Sequence, residues 1–150
     1  MNPTYSDDDL AFRRAFESCE CDAGSFDHRS HVRLAYIYLC DSGVSNACDR
    51  VRNSLLRYLN HYEIDPKKYH ETITRAWVQA VNHFMRQGPG HQSFASFIEA
   101  NPQLLDSEIV LSHYSKGTLF SDKARLQFIP PDLSPIPTND QTSLPSARAR

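Results

Sequence analysis

The sequence predicts an all-α protein, a compact four- to five-helix bundle with short C-terminal helices and a Pro-rich extended tail. Helical periodicity recurs along the chain, and no stretch alternates apolar and polar residues long enough to indicate a strand. Glycine is scarce, with five residues in 150, and five of the nine prolines lie at or after position 130. We therefore expect one helical domain over residues 1–137 and a disordered C-terminal tail over residues 138–150.

The composition excludes several other classes of protein. With 40% hydrophobic and 23% charged residues, the chain is neither a coiled-coil rod nor fully disordered. A formal net charge of -2 leaves no basic excess for a phosphate backbone, so we expect no nucleic-acid partner. No apolar run approaches the ~18 residues of a membrane helix. The acidic start MNPTYSDDDL differs from a signal peptide, and we expect a cytoplasmic protein with free cysteine thiols.

Two helices are predicted in the first 41 residues. Ser6 and Asp9 have the spacing of a capping box, which opens a helix over residues 7–20. A second helix runs from about residue 27 to 40 and ends before a Ser-Gly pair.

Two longer helices follow. Ser45 is a candidate N-cap for a third helix over residues 46–62. Asp65 and Pro66 place an N-cap before a proline at the first helical position, which predicts the start of a fourth helix. We expect the fourth helix to continue to about residue 87 and to stop at a Gly-Pro-Gly segment.

The predicted helices become shorter after that Gly-Pro-Gly segment. Three short helices are predicted, over residues 92–100, 106–114 and 121–128. The last of them has Ser121 as its N-cap. Beyond it, Leu133 and Ile136 offer apolar anchors for an extended segment that lies on the body of the domain.

Histidines occupy the apolar faces of two of these helices. On a wheel of about 100° per residue, His28 shares an arc with Val32 in the second helix, and His31 lies at the edge of that arc. His70 begins the apolar face of the fourth helix, which includes Trp77. In an up-down bundle these two helices run parallel. We therefore expect the three histidines to converge around one apolar-walled mouth.

The expected histidine cluster suits two kinds of chemistry. Helix N-termini and burial both favour neutral imidazoles, which ligate metals or act as bases. His28, His31 and His70 are therefore predicted as ligands of a divalent metal, iron or zinc, or as an acid–base set. Glu71 points about 100° away from His70 and suits a supporting role. Tyr114 is predicted as a phenol donor beside the pocket.

Two segments contain these histidines: F-D-H-R-S-H-V-R-L-A-Y-I-Y-L, residues 26–39, and K-Y-H-E-T-I-T-R-A-W, residues 68–77. In them, and above all in their parts F-D-H-R-S-H and Y-H-E-T-I-T, the sequence resembles a family of small, uncharacterised bacterial helical proteins. The resemblance continues through three further segments, at residues 101–106, 114–121 and 131–137. It implies that the histidine segments and their neighbours matter, and it implies no activity.

Three interpretations of the histidines remain open at this stage. In the first, the protein is a small enzyme that acts on a small-molecule substrate in a histidine-lined pocket, with or without a bound metal. In the second, it is a non-catalytic helical module that binds a small ligand, a metal or a protein partner. In the third, the histidines only stabilise the fold. The sequence indicates no oligomeric state.

Overall fold

The computed structural model describes residues 2–137, and over that range the predicted all-α class is confirmed, with no strand. The α-helices of this range are α1 (Asp7–Glu17), α2 (His28–Asp41), α3 (Val44–His61), α4 (Glu71–Gln87), α5 (Phe94–Ala100), α6 (Lys116–Leu119) and α7 (Asp122–Leu126). Short 3-10 helices lie at Pro66–Lys68, Pro102–Leu105 and Ser107–Ser112. None of these helices is long and apolar enough to cross a bilayer. The predicted tail over residues 138–150 lies outside the described range.

The predicted capping box of α1 is confirmed. The Ser6 hydroxyl accepts from the Asp9 backbone N–H at 3.1 Å, and the Asp9 carboxylate accepts from the Ser6 N–H at 3.0 Å. The helix ends at Glu17, earlier than predicted, because the chain turns into the left-handed region at Cys19, where φ is 60°.

The starts of two other helices differ from the prediction. Gly43 is the N-cap of α3 and no side chain caps it, so Ser45 does not have the predicted role. The Asp65 carboxylate does accept a backbone bond, from Lys67, but the element it caps is the 3-10 helix. Helix α4 begins only after His70, and the predicted fourth helix is therefore two elements.

The short elements after α4 agree with the prediction only in part. Helix α5 matches the prediction over residues 92–100 and begins after its N-cap Ser93. The segment over residues 106–114 forms a 3-10 helix, and α6 lies where no element was predicted. Ser121 caps α7 as expected, by accepting from the Ala124 N–H.

Helix α2 is the centre of the core. It packs against α1, α3 and α4, and most of its side chains between Val32 and Leu39 are buried. Two of these are tyrosines whose hydroxyls are satisfied inside the protein. The Tyr36 hydroxyl donates to the Thr4 carbonyl at 2.7 Å, and the Tyr38 hydroxyl donates to the Glu17 carboxylate at 2.5 Å. This central helix carries the candidate site at its first turn.

A buried carboxylate joins three helices. Asp9 in α1 is 2% exposed, and its Oδ1 lies 3.0 Å from both Nε and Nη2 of Arg33 in α2. Its Oδ2 accepts from the backbone N–H of Phe94, the first residue of α5, at 2.9 Å. The position of α2 is thereby tied to the helices on either side of it.

The last described residues, 129–137, form a C-terminal strap across α6 and the preceding 3-10 helix. Asp132 accepts from the Ser115 N–H at 2.9 Å, the Ser115 hydroxyl at 2.7 Å and the Thr118 hydroxyl at 3.0 Å. Of the two predicted anchors, Ile136 is buried in the core and Leu133 is exposed. The strap therefore fixes the first turn of α6 from outside.

Candidate functional site

A cleft of about 450 Å³ opens at the first turn of α2. Ligand pockets are typically about 300–1,000 Å³ in volume and mostly apolar. Its apolar walls are Ile73, Trp77, Val110, Leu111, Leu119 and Phe120. Its polar lining consists of His28, His31, Ser107, Glu108 and Lys116. The structure therefore brings two of the three predicted histidines together beside an apolar space.

His28 is held in place by a backbone carbonyl. Its Nε2 lies 2.9 Å from the Leu104 carbonyl oxygen, which can only accept, so Nε2 carries the hydrogen. The neutral ring then has its lone pair on Nδ1. The edge of the imidazole also packs on Trp77, with ring centroids 4.4 Å apart. These two contacts set the tautomer and the orientation of the ring.

His31 lies one turn further along α2, and one of its ring nitrogens lacks a hydrogen-bond partner within residues 2–137. Its Nε2 is buried and has no hydrogen-bond partner among the described residues. Burial, with a smaller contribution from the neighbouring His28, lowers the pKa of His31 to about 4. The ring is therefore neutral at pH 7. A buried polar atom without a partner costs about 1–3 kcal/mol, and its presence here calls for a physical explanation.

His70 does not share the cleft with the other two histidines. As N-cap of α4, its Nδ1 accepts from the Ile73 N–H at 3.1 Å. Its Nε2 donates to the Leu119 carbonyl at 2.7 Å. Burial lowers the pKa of His70, and the nearby Arg125 charge adds to that effect. Both ring nitrogens are thus bonded to the backbone, where they tie the start of α4 to the end of α6.

The predicted metal set of His28, His31 and His70 is therefore not assembled. Over residues 2–137, no three His, Cys, Asp or Glu side chains are grouped so that they could hold a metal ion. The reason is local, because α4 starts one residue after His70 and uses that imidazole as its cap. The two remaining imidazoles form a pair, in which neither His31 Nε2 nor His28 Nδ1 is engaged by the contacts described above.

Glu71 lies in a neighbouring groove and does not line the cleft. Its carboxylate accepts from the Tyr69 hydroxyl at 2.6 Å and lies 3.5 Å from the guanidinium nitrogens of Arg52 and Arg75. These contacts join α3 to the first turn of α4. The structure therefore does not bring Glu71 to His28 and His31.

Tyr114 is also separated from the cleft. The residue is fully buried, and its hydroxyl donates to the Ile129 carbonyl at 2.6 Å. Burial raises the pKa of Tyr114 to about 12. The phenol is a donor, as predicted, but it donates to the C-terminal strap.

The sequence predicts only part of the outer wall of the cleft. The 3-10 helix Ser107–Ser112 lies within the helix expected over residues 106–114, but α6 was not expected, because its four residues are too few to show a helical period. The acceptor that orients His28 is the backbone oxygen of Leu104, which carries no side-chain signature. The sequence does indicate the two histidines at i and i+3 on an apolar face of α2 and the apolar face of α4 that includes Trp77.

The capping role of His70 makes a first prediction. Replacing His70 by alanine removes the bond to the Ile73 N–H and leaves the Leu119 carbonyl without its donor. We expect the free energy of unfolding to fall by about 1–2 kcal/mol. His70→Asn, which restores a capping acceptor, should recover about half of that loss. Urea denaturation measures both variants, and a loss below about 0.5 kcal/mol in His70→Ala would show that the imidazole is not needed as a cap.

The candidate site is the cleft at His28 and His31, and it is not the predicted three-histidine centre. It combines a fixed imidazole, an unsatisfied imidazole and apolar walls from α4 and α6. Its function has to be inferred from this geometry, because no protein-family model, curated protein or solved structure matches the chain.

Proposed function

We propose that the protein binds a small molecule in the cleft and that His31 Nε2 is the hydrogen-bond partner of that ligand. The observation that carries this proposal is the buried, unpartnered Nε2. More than about nine in ten buried polar atoms in folded proteins have a partner. A ligand that bonds to Nε2 would recover the free energy that a buried atom without a partner costs.

Proton transfer at His28 is the second candidate function. The bond to Leu104 fixes the hydrogen on Nε2 and leaves the Nδ1 lone pair available to accept a proton. His31, with a pKa of about 4, is a weak base at neutral pH, so the base of such a reaction would be His28. Conversion of a bound compound by the wild-type protein but not by His28→Gln would establish this role.

Trp77 provides the experiment for the binding proposal. It is the only tryptophan of the chain, it lines the cleft, and it contacts His28. We expect fragments that bind the cleft to shift the Trp77 indole N–H resonance in ¹⁵N-labelled protein. In His31→Leu the dissociation constant of such fragments should rise about tenfold, which corresponds to the loss of one hydrogen bond of about 1.4 kcal/mol.

A histidine outside the cleft serves as the matched control. His61 is exposed at the end of α3, and we expect His61→Gln to leave the fragment affinities unchanged. Fragments that bind with equal affinity to the wild type and to His31→Leu would contradict the role of Nε2. A broad set of fragments that never shifts the Trp77 resonance would contradict binding in the cleft.

A further inference from the structure

The polarity of the cleft indicates which class of small molecule it binds. This inference rests on the proposed function, the binding of a small molecule in the cleft. We infer that the ligand is an uncharged molecule with an apolar, ring-sized body and a hydroxyl group that bonds to His31 Nε2. The walls, the charges and the hydrogen-bonding capacity of the lining residues each contribute to this assignment.

The walls determine the body of the ligand. Ile73 and Trp77 come from α4, Leu119 comes from the end of α6, and Phe120 follows it. Phe120 is 63% exposed at the edge of the cleft. An apolar ring seated between these side chains would remove part of the exposed Phe120 surface from water. Each Å² of apolar surface so covered contributes about 25 cal/mol.

The charges of the lining argue against an ionic ligand. Glu108 and Lys116 are the charged side chains in it; both are exposed and they have opposite signs. His31, which also lines the cleft, is neutral at pH 7 because its pKa is about 4. An anion or a cation placed there would lose water without gaining a fixed counter-charge, and that loss costs far more than a hydrogen bond returns.

The imidazole determines the polar group. A neutral His31 carries either a hydrogen or a lone pair on Nε2, depending on its tautomer. A hydroxyl can donate or accept, so it satisfies Nε2 in both tautomers. A carbonyl or an ether can only accept, and it satisfies one tautomer alone. A hydroxyl is therefore the group that fits this atom without constraint on the proton.

Three probes with the same ring system separate the effect of the hydroxyl group from the effect of a charge. They are 2-naphthol, 2-methoxynaphthalene, which has no donor, and naphthalene-2-sulfonate, which carries a charge. Each is titrated at pH 7 into ¹⁵N-labelled full-length protein, and the Trp77 indole resonance is followed. We expect 2-naphthol to bind at least tenfold more tightly than either of the other probes. His31→Leu should abolish that preference between 2-naphthol and 2-methoxynaphthalene, and His61→Gln should retain it.

The possible outcomes separate a failure of the ligand class from a failure of the proposed function. Tighter binding of the sulfonate that still depends on His31 overturns the uncharged class and leaves the cleft as the binding site. Equal binding of 2-naphthol and 2-methoxynaphthalene to the wild type overturns the hydroxyl assignment without any need for a variant. If 2-naphthol causes no shift of Trp77, the ring-sized body is wrong, whatever the fragment screen finds.

Discussion

Replacing Asp9 by alanine is expected to lower the free energy of unfolding by about 3–5 kcal/mol, the largest effect of any single substitution considered for this protein. The substitution leaves the guanidinium of Arg33 without its carboxylate and the backbone N–H of Phe94 without its acceptor. It also removes the half of the α1 capping box that bonds to Ser6. Three helices lose one shared contact point.

Denaturation in urea at pH 7 measures this effect, with Asp8→Ala as the matched control. Asp8 lies in the same first turn of α1 but is exposed, so we expect its removal to cost at most about 1 kcal/mol. Equal losses in the two variants would show that the buried contacts of Asp9 contribute little.

The dependence of stability on acid pH provides an independent check on the contribution of Asp9. Burial raises the pKa of this carboxyl, but the backbone donors at Phe94 and Ser6 and the charge of Arg33 outweigh burial, and the net pKa is lowered from its usual 3.8. The stabilising contribution is therefore complete above pH 3.8 and is lost as the pH falls through the lower pKa of the folded state. The difference in stability between wild type and Asp9→Ala should shrink in that range only.

The stability of the wild-type protein is expected to fall by about 3 kcal/mol between pH 6.5 and pH 4 because of His31. The folded pKa of this imidazole is about 4, against an ordinary value of 6.5. Between these two values the unfolded chain binds a proton that the folded protein does not. Stability is therefore complete above pH 6.5 and decreases as the pH falls toward 4.

Paired urea denaturation series of the wild type and His31→Leu measure the contribution of His31. Since burial also lowers the pKa of His70, the wild-type slope contains a second histidine, and only the difference between the two proteins reports on His31. We expect His31→Leu to have a smaller pH dependence and to be at least as stable as the wild type at pH 7, because it removes an unsatisfied buried atom. Parallel curves would mean that the imidazole is hydrated in the folded protein.

The helix starts show how far the sequence could predict the fold. Ser6, Asp27 and Ser121 are capping residue types, and each one caps the helix that the pattern indicated. Histidine is not a usual N-cap residue type, so the sequence pattern indicates a helix start at Asp65 and Pro66, which instead begin a 3-10 helix. As the cap of α4, His70 bonds to the backbone through both ring nitrogens and does not line the cleft with His28 and His31.

The pairing of His28 with His31 was predictable, because it depends only on their spacing within one helix. Residues at i and i+3 of one helix share a face whatever the rest of the chain does. Their surroundings depend on segments far away in the sequence, such as the Leu104 carbonyl, 76 residues from His28. No local pattern encodes a contact of that range, and the pocket could therefore be expected without the carbonyl that orients His28 and without the part of the wall that α6 forms.

The same long-range contacts determine when the cleft forms during folding. Helices α2, α3 and α4 are neighbours in sequence and pack on one another, so their contacts require the closure of short loops only. The cleft forms only when the chain beyond α5 docks, through bonds such as that from His70 to Leu119, 49 residues away. Elements that dock through long-range contacts open at a lower free-energy cost than the packed helices on which they dock. A ligand in the cleft would therefore add most protection from hydrogen exchange to the segment that folds last.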